Sequence, residues 1–285
     1  MVLRLGILIA CFCAAVAAQA KDVVTWHVSH FPPVNIMSGP FENEGFADKT
    51  RSFFQRNLME YSHQDVTQGY AQSMESAQAG TAFCRADMLK TPEREKVFYF
   101  SQPVYFTSGR RLLVSNDIFL QTRGFANKNG DVRFSDLLGQ PWAKYSYVKG
   151  RVYFPTEQEA LKVYRDKHPE LASENSYEAF NLLKREEANM MILYPFEYGY
   201  YLRLDDLAPS HRSLQLAEME PFSYAYFACS KTPKGKRVIE AVNSIVKKEE
   251  DIYSWLYYYK EWVSHEEWQR IKRFFYKVTT NYNEN

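Results

Sequence analysis

Apolar positions fall into short runs rich in β-branched and aromatic residues, separated by longer stretches with helical spacing, so strand and helix units follow one another in series. Residues 23–29 (VVTWHVS) read as a buried strand. The strand opens into a loop because His30-Phe31-Pro32-Pro33 continues neither a helix nor an interior strand. Gly39-Pro40 and Glu44-Gly45 mark turns, after which Phe46, Thr50, Phe53, Phe54, Leu58 and Tyr61 share one helical face. A second helix, capped at Asp65 or Thr67, carries Tyr70, Met74 and Ala77 on one side and stops at Gly80.

Residues 81–87 and 97–100 read as strands on either side of a Thr91-Pro92-Glu93-Arg94 corner, with Pro103 closing the second. Gly109-Arg110-Arg111 leads into Leu112-Leu113-Val114, a strand able to cross between two bodies. Residues 121–131 read as an exposed excursion. Beyond it come a short helix at 135–139, a strand at 142–148 and a Lys149-Gly150-Arg151 loop. A capping box, Thr156 with Glu159, starts a helix running through Arg165. A helix from Ser176, a buried strand at 190–193 and a helix opened by Pro195 follow. Residues 222–229 (FSYAYFAC) form the last strand. A helix from Thr232-Pro233 and a tail helix capped by Ser264 and Glu267 complete the chain. The alternation predicts an α/β fold of mainly parallel sheets flanked by helices, in two lobes joined by two crossovers. Residues 21–112 and 217–285 form the first lobe and 113–216 the second.

Residues 1–20 add an export reading: Arg4, an apolar run and Ala18-Gln19-Ala20 match a cleavable secretory signal. Leu-Ile-Ala-Cys at 8–11 leaves lipidation at Cys11 as the alternative, although the apolar run before it is short. Loss of Arg4 with the signal leaves 34 basic against 34 acidic residues. A neutral chain without a basic block argues against nucleic acid as a partner. Cys84 and Cys229 remain, an even pair in an exported chain, which favours a disulfide over two buried thiols. Arg94, at its polar corner, is the candidate anchor for an anionic group, because a guanidinium stays charged and offers a planar fork to a carboxylate. The alternative is a structural pair with Glu93 or Glu95. No Gly-rich phosphate loop, nucleophile elbow or metal-spaced His/Cys cluster occurs, and no cofactor is implied.

These residues resemble the family 3 extracellular solute-binding proteins of the type II periplasmic binding fold. His30-Phe31-Pro32-Pro33 with Gly45-Phe46-Ala47-Asp48 is similar to that family's opening motif. Thr91-Pro92-Glu93-Arg94 followed by Phe100-Ser101-Gln102-Pro103-Val104-Tyr105 is similar to its "T-x-E-R … F-S-x-P-Y". The resemblance implies a monomer that closes two lobes over a small, carboxylate-bearing ligand and delivers it from the periplasm to an ABC transporter permease. A ligand-sensing input to a membrane receptor is the alternative. It further implies that Arg94 grips the carboxylate, with Leu89 alongside, rings drawn from Trp26, Phe31, Tyr70 and Tyr105, and a second-lobe wall of Gly150, Arg151, Tyr194 and Glu197. It also makes the strands of Cys84 and Cys229 neighbours.

The chain departs from the amino-acid binders in two places. Tyr194 stands where their amine-neutralising acid aligns, and Val34 stands where many carry an aromatic clamp. An organic acid, aromatic compound or peptide fragment therefore stays open as the ligand. An enzyme resembling cyclohexadienyl dehydratase would need Glu197 or His30 as proton donor.

Overall fold

A computed structural model describes residues 21–149, 151, 153 and 158–283. The signal reading of 1–20, the Cys11 alternative, Gly150 and the Thr156 cap lie outside the described residues.

The chain begins with β1 (Asp22–Val28), α1 (Phe46–Asn57), β2 (Tyr61–Thr67), α2 (Tyr70–Gln78), β3 (Cys84–Met88), α3 (Pro92–Glu95) and β4 (Phe98–Ser108). It continues through β5 (Arg111–Ser115), α4 (Asn116–Arg123), α5 (Phe134–Leu138), β6 (Tyr145–Val148), α6 (Gln158–Lys167), β7 (Ala172–Ser173), α7 (Ser176–Lys184), β8 (Met190–Leu193), α8 (Pro195–Leu204) and β9 (His211–Leu214). It returns as β10 (Phe222–Ser230), α9 (Pro233–Val246), α10 (Leu256–Lys260) and α11 (His265–Asn283).

Two five-stranded sheets result, ordered β2-β1-β3-β10-β4 and β7-β6-β8-β5-β9. Both are mixed rather than mainly parallel. Helical crossovers generate the parallel pairs β1/β2, β1/β3, β6/β7 and β6/β8. The strands that carry the chain between sheets run the other way: β10 is antiparallel to β3 and β4, and β5 to β8 and β9. The two crossovers lie side by side, with Gly109 N–H donating to Pro221 O at 3.1 Å. A Cβ on Gly109 would come within 1.9 Å of Glu220 O, so this close approach needs glycine.

Four local readings change. Residues 61–67, read as the end of one helix and the cap of another, form the edge strand β2, whose polar side chains carry no apolar run. The next helix starts after Gly69. Part of the polar excursion is helix α4, which buries only Ile118 and Thr122. β4 runs through Pro103, where its register against β10 shifts and the missing N–H is tolerated. The strand β9, too polar to stand out, pairs with β5.

In the first lobe Trp26, Phe54, Phe227 and Trp255 interlock, with ring centroids 4.6–5.5 Å apart. The two sheets are not independent bodies. Helix α8, which belongs to the second sheet, turns Phe196, Gly199, Tyr200 and Arg203 toward the first lobe at helical i, i+3, i+4, i+7 spacing. Phe196 meets Phe46 at 5.5 Å and Tyr259 at 6.0 Å. Tyr200 meets Trp262 at 5.8 Å, and the Arg203 guanidinium lies 4.2 Å from the Trp262 ring. A Cβ on Gly199 would sit 2.0 Å from Trp262 O.

Cys84 and Cys229 are register partners across β3 and β10 and form a disulfide spanning 145 residues of chain. His27, buried on β1, stacks on Phe83 at 3.7 Å with Nδ1 3.1 Å from Ser73 Oγ. Desolvation, with Arg85 adding repulsion, pulls its pKa down to about 4.

Three outcomes follow. Replacing both cysteines by alanine costs roughly 2–5 kcal/mol, read as a lower denaturant midpoint; an unchanged midpoint contradicts a native bridge. Gly199→Ala pushes α8 off the Trp262 backbone, costing about 1–3 kcal/mol and enlarging the radius of gyration in X-ray scattering. Wild-type stability and scattering would argue against that contact. The unfolded imidazole takes its proton near pH 6.5 and the folded one only near pH 4, so His27 removes up to about 3 kcal/mol of stability as pH falls through that window. His27→Asn flattens this slope in unfolding titrations between pH 7 and 4; an equally steep slope in the variant assigns the loss to other groups.

Candidate functional site

The first-lobe floor of the cleft is set by β3, whose five residues are all buried. Arg85 and Asp87 are two apart and so point to the same face. All five guanidinium N–H groups of Arg85 find acceptors: Asp87 Oδ1 and Oδ2, Gln68 O, Ser73 Oγ and Ser29 Oγ, at 2.8–3.2 Å. Asp87 Oδ2 also accepts from Asn35 Nδ2 at 2.7 Å and from the Tyr70 hydroxyl at 2.9 Å. Asn35 passes the link to Arg51, whose Nη1 donates to its Oδ1 at 3.0 Å. Arg51 in turn pairs with Asp48 at 3.2 Å, and Asp48 accepts the Ile36 N–H at 2.7 Å. Burial raises the Asp48 pKa although Ile36 N–H and Arg51 oppose the shift. Arg51 Nε also donates to Asp65 Oδ2 at 3.0 Å, and the resulting charge-paired lattice fixes the loop holding Phe31 and Val34.

The loop after β3 supplies a cationic edge at Arg94. Thr91 caps the one-turn helix α3 through its hydroxyl, which accepts the Arg94 N–H at 3.4 Å, and Pro92 sits at the first turn. Arg94 Nη1 donates to Leu89 O at 2.7 Å. Its guanidinium carbon lies 5.8 Å from the Tyr70 ring centre, whose other neighbour, the Arg85 guanidinium, lies at 3.9 Å. Among the described residues, neither Glu93 nor Glu95 pairs with Arg94; Glu95 pairs with Lys90 at 2.8 Å.

The opposite wall comes from the end of β8 and the start of α8. Tyr194 stacks on Phe196 at 4.8 Å and 8°. Arg110, at the crossover, places its guanidinium carbon 5.3 Å from the Tyr194 ring centre. Glu197 is turned away from the opening: its Oε2 accepts the Tyr194 N–H at 2.9 Å as part of the helix cap and the Arg151 Nη2 at 3.4 Å. Arg151 further donates to Ser176 Oγ.

Together these elements line a half-open cavity of about 220 Å³ between the sheets. Of the residues read from the sequence, Phe31, Tyr70, Leu89, Arg94, Tyr105 and Tyr194 line it. Arg151 and Glu197 stand behind Tyr194 as an ion pair. Trp26 lies elsewhere, fully buried in the first-lobe core with Nε1 donating to His63 Nδ1 at 3.2 Å. His30 also stands off the cavity lining, where its Nδ1 accepts the Met37 N–H at 3.1 Å.

Val34, Phe46, Phe196, Asp87, Thr107, Arg110, Ser223 and Ala225 complete the lining. Phe46 looked like a core position on a helix face, whereas Phe196 falls within the 194–197 stretch that the sequence reading turns toward the cleft. Asp87 and Arg110 carried a usable signal as charges at the end of a buried strand and beside a hinge glycine. Among the described residues no group of three or more His, Cys, Asp or Glu is placed to hold a metal ion, and no helix is long and apolar enough to cross a membrane.

No protein-family model matches this sequence, and no curated protein matches it. Solved structures do. Substrate-binding domain 2 of Lactococcus lactis GlnP, in its open conformation, aligns with a TM-score of 0.58 at 16% identity over 85% of this chain and 96% of that one. The probable amino-acid ABC transporter extracellular-binding protein ytmK of Bacillus subtilis aligns at 0.55 and 16% identity, over 85% and 99%. An ancestral amino acid-binding protein, a precursor of cyclohexadienyl dehydratase, aligns at 0.54 and 19%, over 85% and 96%. The chain therefore has the two-lobed fold of the family 3 solute-binding proteins, the type II periplasmic binding architecture.

Proposed function

We propose that this protein is a non-enzymatic solute-binding protein that holds a small anionic ligand between its lobes and hands it to a membrane permease. The carrying observation is Arg94 at the cavity edge. One Leu89 carbonyl steadies its head, while Nε and Nη2 have no protein acceptor among the described residues. A cation held on one arm and open on the other suits a carboxylate, which accepts two parallel N–H bonds from a guanidinium. The cavity takes residues from both sheets, so a ligand touches both lobes only when they are together, and binding favours the closed arrangement.

The structural neighbours support the binding reading, since their names describe amino-acid-binding and transporter-associated proteins. The exported, periplasmic location belongs to the same proposal, as does action as a monomer. A membrane sensor in place of the permease would use the same cleft. Enzyme chemistry finds little support: Glu197 is committed to the helix cap and to Arg151, and His30 lies off the lining.

Calorimetric titration with a panel of organic acids and amino acids tests the reading. For the tightest ligand, Arg94→Ala removes about 2–4 kcal/mol of binding free energy, a weakening of at least about thirty-fold. Arg94→Lys recovers part of it, because an ammonium keeps the charge but not the fork. Equal affinity in wild type and Arg94→Ala would exclude Arg94 as the anchor.

A further inference from the structure

We infer that the cleft is built for an amine-free aromatic carboxylate and discriminates against α-amino acids; this rests on the solute-binding reading above and names the ligand class. An ammonium group enclosed in a cavity needs a carboxylate to replace its water shell. Among the described residues, Asp87 is the one carboxylate lining this cavity. Its two oxygens already accept four hydrogen bonds, Oδ2 from Arg85 Nη2, Asn35 Nδ2 and the Tyr70 hydroxyl and Oδ1 from Arg85 Nε. Arg85 cancels its charge inside the lobe. The nearest carboxylate of the other wall, Glu197, is 1% exposed and spent on the Tyr194 N–H and Arg151.

The remaining lining has the opposite character. Arg94 brings positive charge to the cavity, which attracts a carboxylate and repels an ammonium. Phe31, Phe46, Tyr70, Tyr105, Tyr194 and Phe196 supply rings, with Tyr194 and Phe196 stacked face to face. Size agrees: a protein cavity of about 150 Å³ accepts benzene, so about 220 Å³ leaves room for a ring and a carboxylate. Tyr194, whose ring lines the cavity and stacks on Phe196, is the specificity-determining position.

Matched ligand pairs that differ only in the amine provide the test: 3-phenylpropanoate against phenylalanine, and 4-methylpentanoate against leucine, titrated calorimetrically into the purified protein. The expected result is at least ten-fold tighter binding of each amine-free acid, with 3-phenylpropanoate the tighter of the two acids. Tyr194→Asp is expected to narrow or reverse the phenylpropanoate-to-phenylalanine ratio. Phenylalanine or leucine binding as tightly as its amine-free partner overturns the inference, and if Arg94→Ala abolishes that binding, the solute-binding reading survives alone. Binding of uncharged or cationic solutes in preference to all four acids also overturns it, and absence of binding by any solute tested removes both readings.

Discussion

The guanidinium of Arg85 is fully buried, and only its pairing with Asp87 makes that position tolerable. Removing one partner of such a pair leaves an uncompensated charge in the interior, typically a loss of about 3–5 kcal/mol. The pair also fixes more than itself. Through Asp87 it sets Tyr70 and Asn35, through Asn35 it reaches Arg51, and through Arg51 and Asp48 it holds the backbone at Ile36. The cleft floor is thus the outer surface of a charge-paired lattice, and Arg94 lines the cavity from outside that lattice.

The second constraint is the fit of α8 against the first lobe. Gly199 lets the helix backbone approach Trp262, and Phe196, Tyr200 and Arg203 fill the space on either side with ring and guanidinium contacts. The same helix carries Tyr194 at its start, so the cleft wall and the inter-lobe contact move as one piece. Antiparallel pairing of the crossover strands, with Gly109 against Glu220, keeps the two connections side by side.

Much of this was legible in the sequence. Apolar runs at 190–193 and 222–229 and the Thr232–Pro233 helix start are local signals, and they produced the right elements near the right places, whereas the Thr91–Arg94 corner turns out to hold the one-turn helix α3. Edge strands β2 and β9 were not legible, because a strand paired on one side needs no continuous apolar run. The mixed sense of the sheets follows from how the chain enters and leaves each lobe, a global property that no window of residues contains. Arg94 stood out because its corner is polar and turn-rich. Trp26 looked like a pocket ring from the sequence because aromatic content alone does not distinguish a core side chain from a cleft wall. Glu197 looked available because a capping role for the third residue of a helix becomes visible only once Tyr194 is known to precede it as the cap.

The central claim is that the space between the lobes holds a small anion through Arg94. Native mass spectrometry of the protein purified from its own source under gentle conditions measures this most directly. The account predicts a one-to-one complex with a small carboxylate, retained by wild type and lost in Arg94→Ala. A bound molecule without an anionic group, or one retained equally by Arg94→Ala, would contradict it.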